Sequence, residues 1–199
     1  PSASLRRSLP RALGLSAMPT VKDCRDKEFY AYGTTRIFER RARHLRLCRT
    51  WITFLGIVAP LLVGGLVLTF GVAEKTLPYF ITAAGLVGLV QLILSTWAIV
   101  ARWDEQYEYS IESARQNTDL YNKFKLLADE NPPDLEDKFD KIQKENQERE
   151  FKDIAQNITD KEKRYAYREA LKYYQKPCHI CKNTPTSSKP EKCGACGSF

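Results

Sequence analysis

Cys178 and Cys181 are separated by two residues, and after an eleven-residue loop the same spacing returns at Cys193 and Cys196. Each CxxC pair presents two thiolates from one tight turn, and two such pairs complete a tetrahedral ligand set. The pattern predicts a zinc ion held by four cysteines. Four thiolates saturate zinc and leave no position for a water molecule, which disfavours catalysis at the metal. His179 is an alternative ligand, better read as a neighbour of the site. Disulfides are the competing chemistry, with three pairings among the four thiols. A thioredoxin-like redox pair fits poorly, because the motif is doubled and follows no strand. Cys24 and Cys48 read as small apolar fillers. The loop from Lys182 to Lys192, rich in Pro, Ser, Thr and Lys, cannot form a core, so metal is expected to organise residues 177–199.

The elements that must position this cluster begin with two uncharged stretches, Trp51–Ala73 and Leu77–Ala101, separated by Glu74, Lys75 and Thr76. As helices they would each reach ~35 Å, enough for a hydrocarbon core of ~30 Å. A soluble protein of 199 residues has too little other apolar sequence to cover them. Residues 1–50 carry 12 Lys and Arg against 4 acids, and the inter-span turn is neutral. The positive-inside rule therefore places both flanking regions in the cytoplasm. That compartment keeps thiols reduced, which favours metal over disulfides. Arg36, Arg40, Arg41, Arg43, Arg46 and Arg49 read as topology and lipid-headgroup residues, since cations beside a membrane are attracted to anionic lipid at ~1 kcal/mol each. Nucleic acid is the less favoured partner for them.

Neither span contains an ionisable side chain, which argues against a pump or an ion-coupled carrier. Gly56, Pro60 and Gly64 in the first span, with Gly85, Gly88 and Ser95 in the second, offer small faces for close helix packing. Gln91 is the strongly polar side chain in mid-span. It serves either helix packing or, if several hairpins assemble, the lining of a pore, because two helices cannot enclose water alone.

Before the membrane, residues 22–50 form a basic amphipathic helix, continuous or broken near Gly33 and Thr34. After it, Trp103, Tyr107, Ile111, Ala114, Thr118, Tyr121, Phe124 and Leu127 fall at helical spacing, so the second span is expected to run on as one helix to about Ala128. Asn131, Pro132 and Pro133 stop it, and Asp134 is placed to cap the next helix. Leu135, Phe139 and Ile142 form a stripe that Phe151, Ile154 and Ile158 resume. The polar interval Gln143–Glu150 between them is expected to be an exposed helix. Thr159 and Glu162 have capping-box spacing and predict a last helix from about Asp160 to Gln175. Its Tyr173 and Tyr174, among Lys161, Lys163, Arg164, Arg168 and Lys172, could contact a nucleotide or nucleic acid, although packing explains them equally well.

The fold class is thus an all-α membrane protein: a transmembrane hairpin (51–101), cytoplasmic helices (102–176) and a small C-terminal zinc knuckle (177–199). Residues 1–21 form a poorly ordered extension, in which Met18 would suit a translation start. With its Arg-rich helix, paired spans, helical extension and four spaced cysteines, the chain resembles the two-transmembrane SLATT effectors of bacterial conflict systems. More narrowly it is similar to the mobilome CxxC-x(11)-CxxC proteins. The resemblance implies an oligomerising inner-membrane effector in antiphage defence, pore-forming or membrane-disrupting, triggered by a cytoplasmic sensor protein or nucleotide signal. A membrane scaffold that recruits a partner is the alternative. No Walker-type loop, Ser/His/Asp set or HExxH helix supports an enzyme.

Overall fold

In the computed structural model, residues 19–70 and 77–199 are described, and among them five helices and no strand occur. The Glu74–Thr76 turn and the proposed extension through residue 18 lie outside the described residues. Helix α1, Val21–Phe70, starts at a reciprocal cap in which the Asp23 carboxylate accepts from the Thr20 amide at 2.7 Å while the Thr20 hydroxyl accepts from the Asp23 amide at 3.3 Å. It runs unbroken through Gly33 and Pro60. Gly33 interrupts nothing; it admits a neighbouring backbone, since a Cβ there would sit 3.3 Å from the Ala166 carbonyl oxygen.

Helix α2, Leu77–Val100, does not continue to Ala128 as expected. Ala101 and Arg102 break it, with Arg102 in the left-handed region at φ 54°, and α3 begins at Trp103 and ends at Glu130. The reason is geometric. The break falls where α2 gives way to α3, and α3 packs along α1 far more extensively than α2 does, which covers its stripe. Asn131 closes α3 in the left-handed conformation, and its amide donates to the Leu127 carbonyl at 3.2 Å.

Helix α4, Leu135–Ile154, packs on α3, and α5, Asp160–Tyr173, packs on α1. Asp134 precedes α4 but does not cap it; its carboxylate pairs with Lys138 at 3.0 Å. At the end away from the spans, Cys24, Leu127 and Ala128 are buried with Leu135, Phe139 and Ile142 against them. Cys24 is fully buried, the apolar filler its sequence position suggested.

The apolar lengths of α1 and α2 are long and apolar enough to cross a membrane, and no residue of either apolar window is buried in the chain. Each bulky aliphatic or aromatic side chain left in water would forgo ~1.5–3 kcal/mol of burial, so these surfaces need an apolar environment or another chain. Within the hairpin, Gln91 lies against Gly56. A Cβ at that glycine would collide with the Gln91 amide, whose nitrogen is 3.5 Å from the Ile52 carbonyl.

Candidate metal centre

The two CxxC turns are built alike. The amide of Lys182, just after the first pair, donates to the Cys178 carbonyl at 2.9 Å, and the amide of Gly197, just after the second, donates to Cys193 at 2.9 Å. Lys182 takes φ 62° to complete its turn. Gly197 is required for a different reason, since a Cβ there would overlap the Glu191 carbonyl and the Cys193 amide. Gly194, between the cysteines, faces open space.

These turns aim all four thiols at one point. The sulfurs lie within 4.8 Å of one another, and Cys181 and Cys196 Sγ are 3.8 Å apart. Metal–sulfur bonds of ~2.3 Å in a tetrahedron set the sulfurs ~3.8 Å apart, so the cluster is shaped to hold a metal ion. All four cysteines are free thiols. Backbone amides of Cys196 and Ala195 pull the Cys193 thiol down to about 6, whereas burial and hydrogen bonds from the other thiols push Cys196 up. Four thiols this close cannot all ionise without a cation, so metal binding must release protons. His179 is outside the ligand set; its Nδ1 is 2.8 Å from the Tyr167 hydroxyl.

The knuckle is not a detached tail. Cys178, Cys193 and Cys196 share a buried cluster with Phe29 and Tyr32 of α1 and Ala170 and Leu171 of α5. Its central polar contact comes from Arg168, which is 0% exposed. The guanidinium donates to the Ser187 carbonyl at 2.8 Å, the Cys196 carbonyl at 3.2 Å and the Glu191 carboxylate at 2.6 Å. Arg164 donates to the Ser198 carbonyl at 2.5 Å. Arg168→Ala leaves the buried Cys196 carbonyl unpaired, at ~1–3 kcal/mol, and the half-buried Ser187 carbonyl with it. The expected outcome is a lower melting temperature and faster metal loss to a chromogenic chelator, both absent in an Arg164→Ala control of the more exposed contact.

Helix α5 is held in place at its start. Thr159 and Glu162 form the expected capping box, and the Glu162 carboxylate also receives Arg41 at 2.5 and 2.8 Å. Burial opposes ionisation of Glu162, but the Arg41 hydrogen bond, the Thr159 contacts and the Arg41 charge together hold it down at about 2. Because this folded-state value lies below the ordinary 4.5, the contribution is complete above pH 4.5 and lost as pH falls toward 2. The stability difference between the natural chain and Glu162→Gln should shrink over that window in parallel denaturant titrations.

The Arg series divides. Arg36 lies over Tyr32 at 4.7 Å and pairs with Glu39 at 2.5 Å, Arg40 lies over Tyr165 at 4.5 Å, and Arg41 is committed to α5. Arg49 pairs with Asp104 at 2.8 Å, while Arg43 and Arg46 are exposed and make no ion pair among the described residues. Tyr173 and Tyr174 are engaged in packing: Tyr173 stacks on Tyr32 at 4.3 Å and is 3.1 Å from the Tyr121 hydroxyl, and Tyr174 donates to the buried Glu28 at 2.9 Å. Burial first, and then the Tyr173 contact, push the Tyr121 phenol up to about 12. Pro60, Gly64, Gly85 and Gly88 are exposed, the three glycines face open space, and Ser95 is half-buried.

The interval Gln143–Glu150 corrects the expected exposed helix. Asn146 and Arg149 are buried there, and so is Asp153 in the next turn. Asp153 Oδ1 accepts from Tyr109 at 2.9 Å, Ser113 at 2.8 Å and Arg149 Nε at 3.0 Å, and its Oδ2 accepts from Asn117 at 2.8 Å. Arg149 also donates to Gln116 at 2.8 Å and to the Tyr109 hydroxyl. Burial, then the Asp153 contact, push the Tyr109 phenol up. Phe151 and Ile154, expected to resume the apolar stripe, instead point outward, because the helix turns its charged side inward here.

A family described as Mobilome CxxCx(11)CxxC protein matches residues 21–199. No curated protein and no solved structure matches the chain significantly.

Proposed function

Because the chain belongs to the mobilome CxxCx(11)CxxC family, we propose that it is an oligomerising membrane effector whose hairpin acts in the bilayer under control of a zinc-organised cytoplasmic bundle. The observation that carries this reading is that both apolar windows bury nothing within the chain, while one 50-residue helix, α1, belongs both to the metal-centred core and to the first span. A change at the knuckle therefore has a rigid path into the membrane. Open faces at Gly64, Gly65, Gly85 and Gly88 suit close approach of a second hairpin. In this account both termini are cytoplasmic, the membrane is the bacterial inner membrane, and the assembled hairpins leak ions in response to a cytoplasmic sensor or nucleotide signal during defence, as SLATT-type effectors are thought to do. The chain acts without catalysis, and its metal is zinc.

A scaffold that recruits a cytoplasmic partner is the second reading, favoured by Phe151 and Ile154, both more than two-thirds exposed on α4. Inducible expression with a membrane-potential dye separates the two. The effector reading expects depolarisation by the natural chain, lost in Gly85→Leu with Gly88→Leu and in Cys193→Ser. Preserved potential together with a partner lost on Phe151→Ser would favour the scaffold.

A further inference from the structure

Between α1 and α3, at the edge of the apolar span, lies an open-sided cavity of about 510 Å³ lined by Arg46, Arg49, Thr50, Thr53, Phe54 and Tyr107. We propose that this cavity binds the phosphate headgroup of an anionic phospholipid, with one acyl chain lying along Phe54, Ile57 and Leu61. The inference rests on the membrane reading and narrows it from a basic stretch to one site.

Three observations carry it. The first is charge. Arg36, Arg40 and Arg41 are engaged within the bundle, whereas Arg46 makes no ion pair among the described residues. Arg49 is held over the Tyr107 ring at 4.8 Å and shares its charge with the well-exposed Asp104, so two guanidinium groups face one carboxylate. A phosphodiester completes that imbalance and can take several charge-assisted hydrogen bonds at once. The Thr50 hydroxyl is used by the Arg46 carbonyl at 2.9 Å; that of Thr53 makes no hydrogen bond among the described residues and is a further donor.

The second is height. Trp51 and Trp103 lie within four residues in sequence of the lining residues Thr50 and Tyr107, and tryptophan favours the headgroup level of a bilayer. The third is continuity. Thr50, Phe54, Ile57 and Leu61 follow at steps of four, three and four along one face of α1, and the last three are at least half exposed. A polar head in the cavity therefore has an apolar track directly beneath it, which free phosphate would not use.

The test uses the full chain in nanodiscs of phosphatidylcholine with and without phosphatidylglycerol, extracted into neutral detergent, with retained lipid counted by mass spectrometry. The natural chain and Arg43→Gln, whose side chain is outside the cavity, should retain phosphatidylglycerol about tenfold above its bulk proportion, the size of one charge-assisted contact. Arg46→Gln, which breaks no ion pair among the described residues, and the double variant with Arg49→Gln should return to the bulk proportion. Equal retention in all variants would overturn the site, as would equal loss in Arg43→Gln, the mark of diffuse attraction. Displacement of the retained lipid by inorganic phosphate would overturn the lipid assignment in favour of a free-anion site. A chain that fails to incorporate into either nanodisc would overturn the membrane reading instead.

Discussion

Cys196→Ser should release the metal and unfold residues 178–199 as a unit. Within that segment the buried residues are Cys178, Pro185, Cys193, Cys196 and Gly197, so three of the five are ligands and little apolar surface remains to replace them. Structural zinc sites of this kind contribute on the order of 10 kcal/mol to the folded state of the segment they organise. Serine cannot supply the fourth thiolate. The expected result is metal content near zero by elemental analysis, susceptibility of the Lys182–Lys192 loop to trypsin, and a melting temperature lower by many degrees. Gly197→Ala should reproduce the proteolysis with all four thiols intact, because the added methyl group overlaps backbone rather than a movable side chain.

The second large effect belongs to Asp153. One carboxylate gathers Tyr109, Ser113, Asn117 and Arg149, and both Asp153 and Arg149 are at most 5% exposed. Asp153→Ala strands a buried guanidinium and should cost ~3–5 kcal/mol, read as a fall in the denaturation midpoint of α3 and α4. Removing both charges with Arg149→Met and Asp153→Leu should recover only the part of that loss due to the unpaired charge, since Tyr109, Ser113 and Asn117 still lose their acceptor. This clasp has a counterpart at the other end of α4, where Leu135, Phe139 and Ile142 make an ordinary apolar contact with the Cys24 cluster. Helix α4 is thus fixed by oil at one end and by charge at the other.

Those two sites differ in how far they could be read from the chain alone. The cysteine spacing, the capping box at Thr159 and Glu162, and the stop at Asn131 are local patterns, and each produces in the fold what its chemistry requires. The Asp153 clasp is not local. Its partners lie 36 to 44 residues earlier on α3, and the neighbouring interval Gln143–Glu150, which holds the buried Arg149, contains no apolar residue to give a periodic signal. Arg168 was hidden in the same way. Among Lys161, Lys163, Arg164 and Lys172 it reads as one more surface cation, yet carbonyls 19 and 28 residues downstream close over it. The break at Arg102 escaped because the apolar span before it and the helical stripe from Trp103 to Leu127 after it follow each other with no Gly or Pro between them. Of the two glycines beside the second cysteine pair, the steric need falls on Gly197 and not on Gly194.

Arg168 and the aromatic residues around Phe29 make the four-cysteine cluster part of the same core as α1, and α1 continues into the apolar span. The claim at the centre of this account is that metal occupancy is felt beyond the knuckle. Hydrogen exchange of the membrane-reconstituted chain, followed with and without a zinc chelator, tests it most directly. Chelation should raise exchange in residues 178–199, in α5 and in the stretch of α1 from Glu28 to Phe38, while leaving Pro78–Val100 unchanged. A change confined to residues 178–199, with α5 and α1 as protected as before, would contradict it.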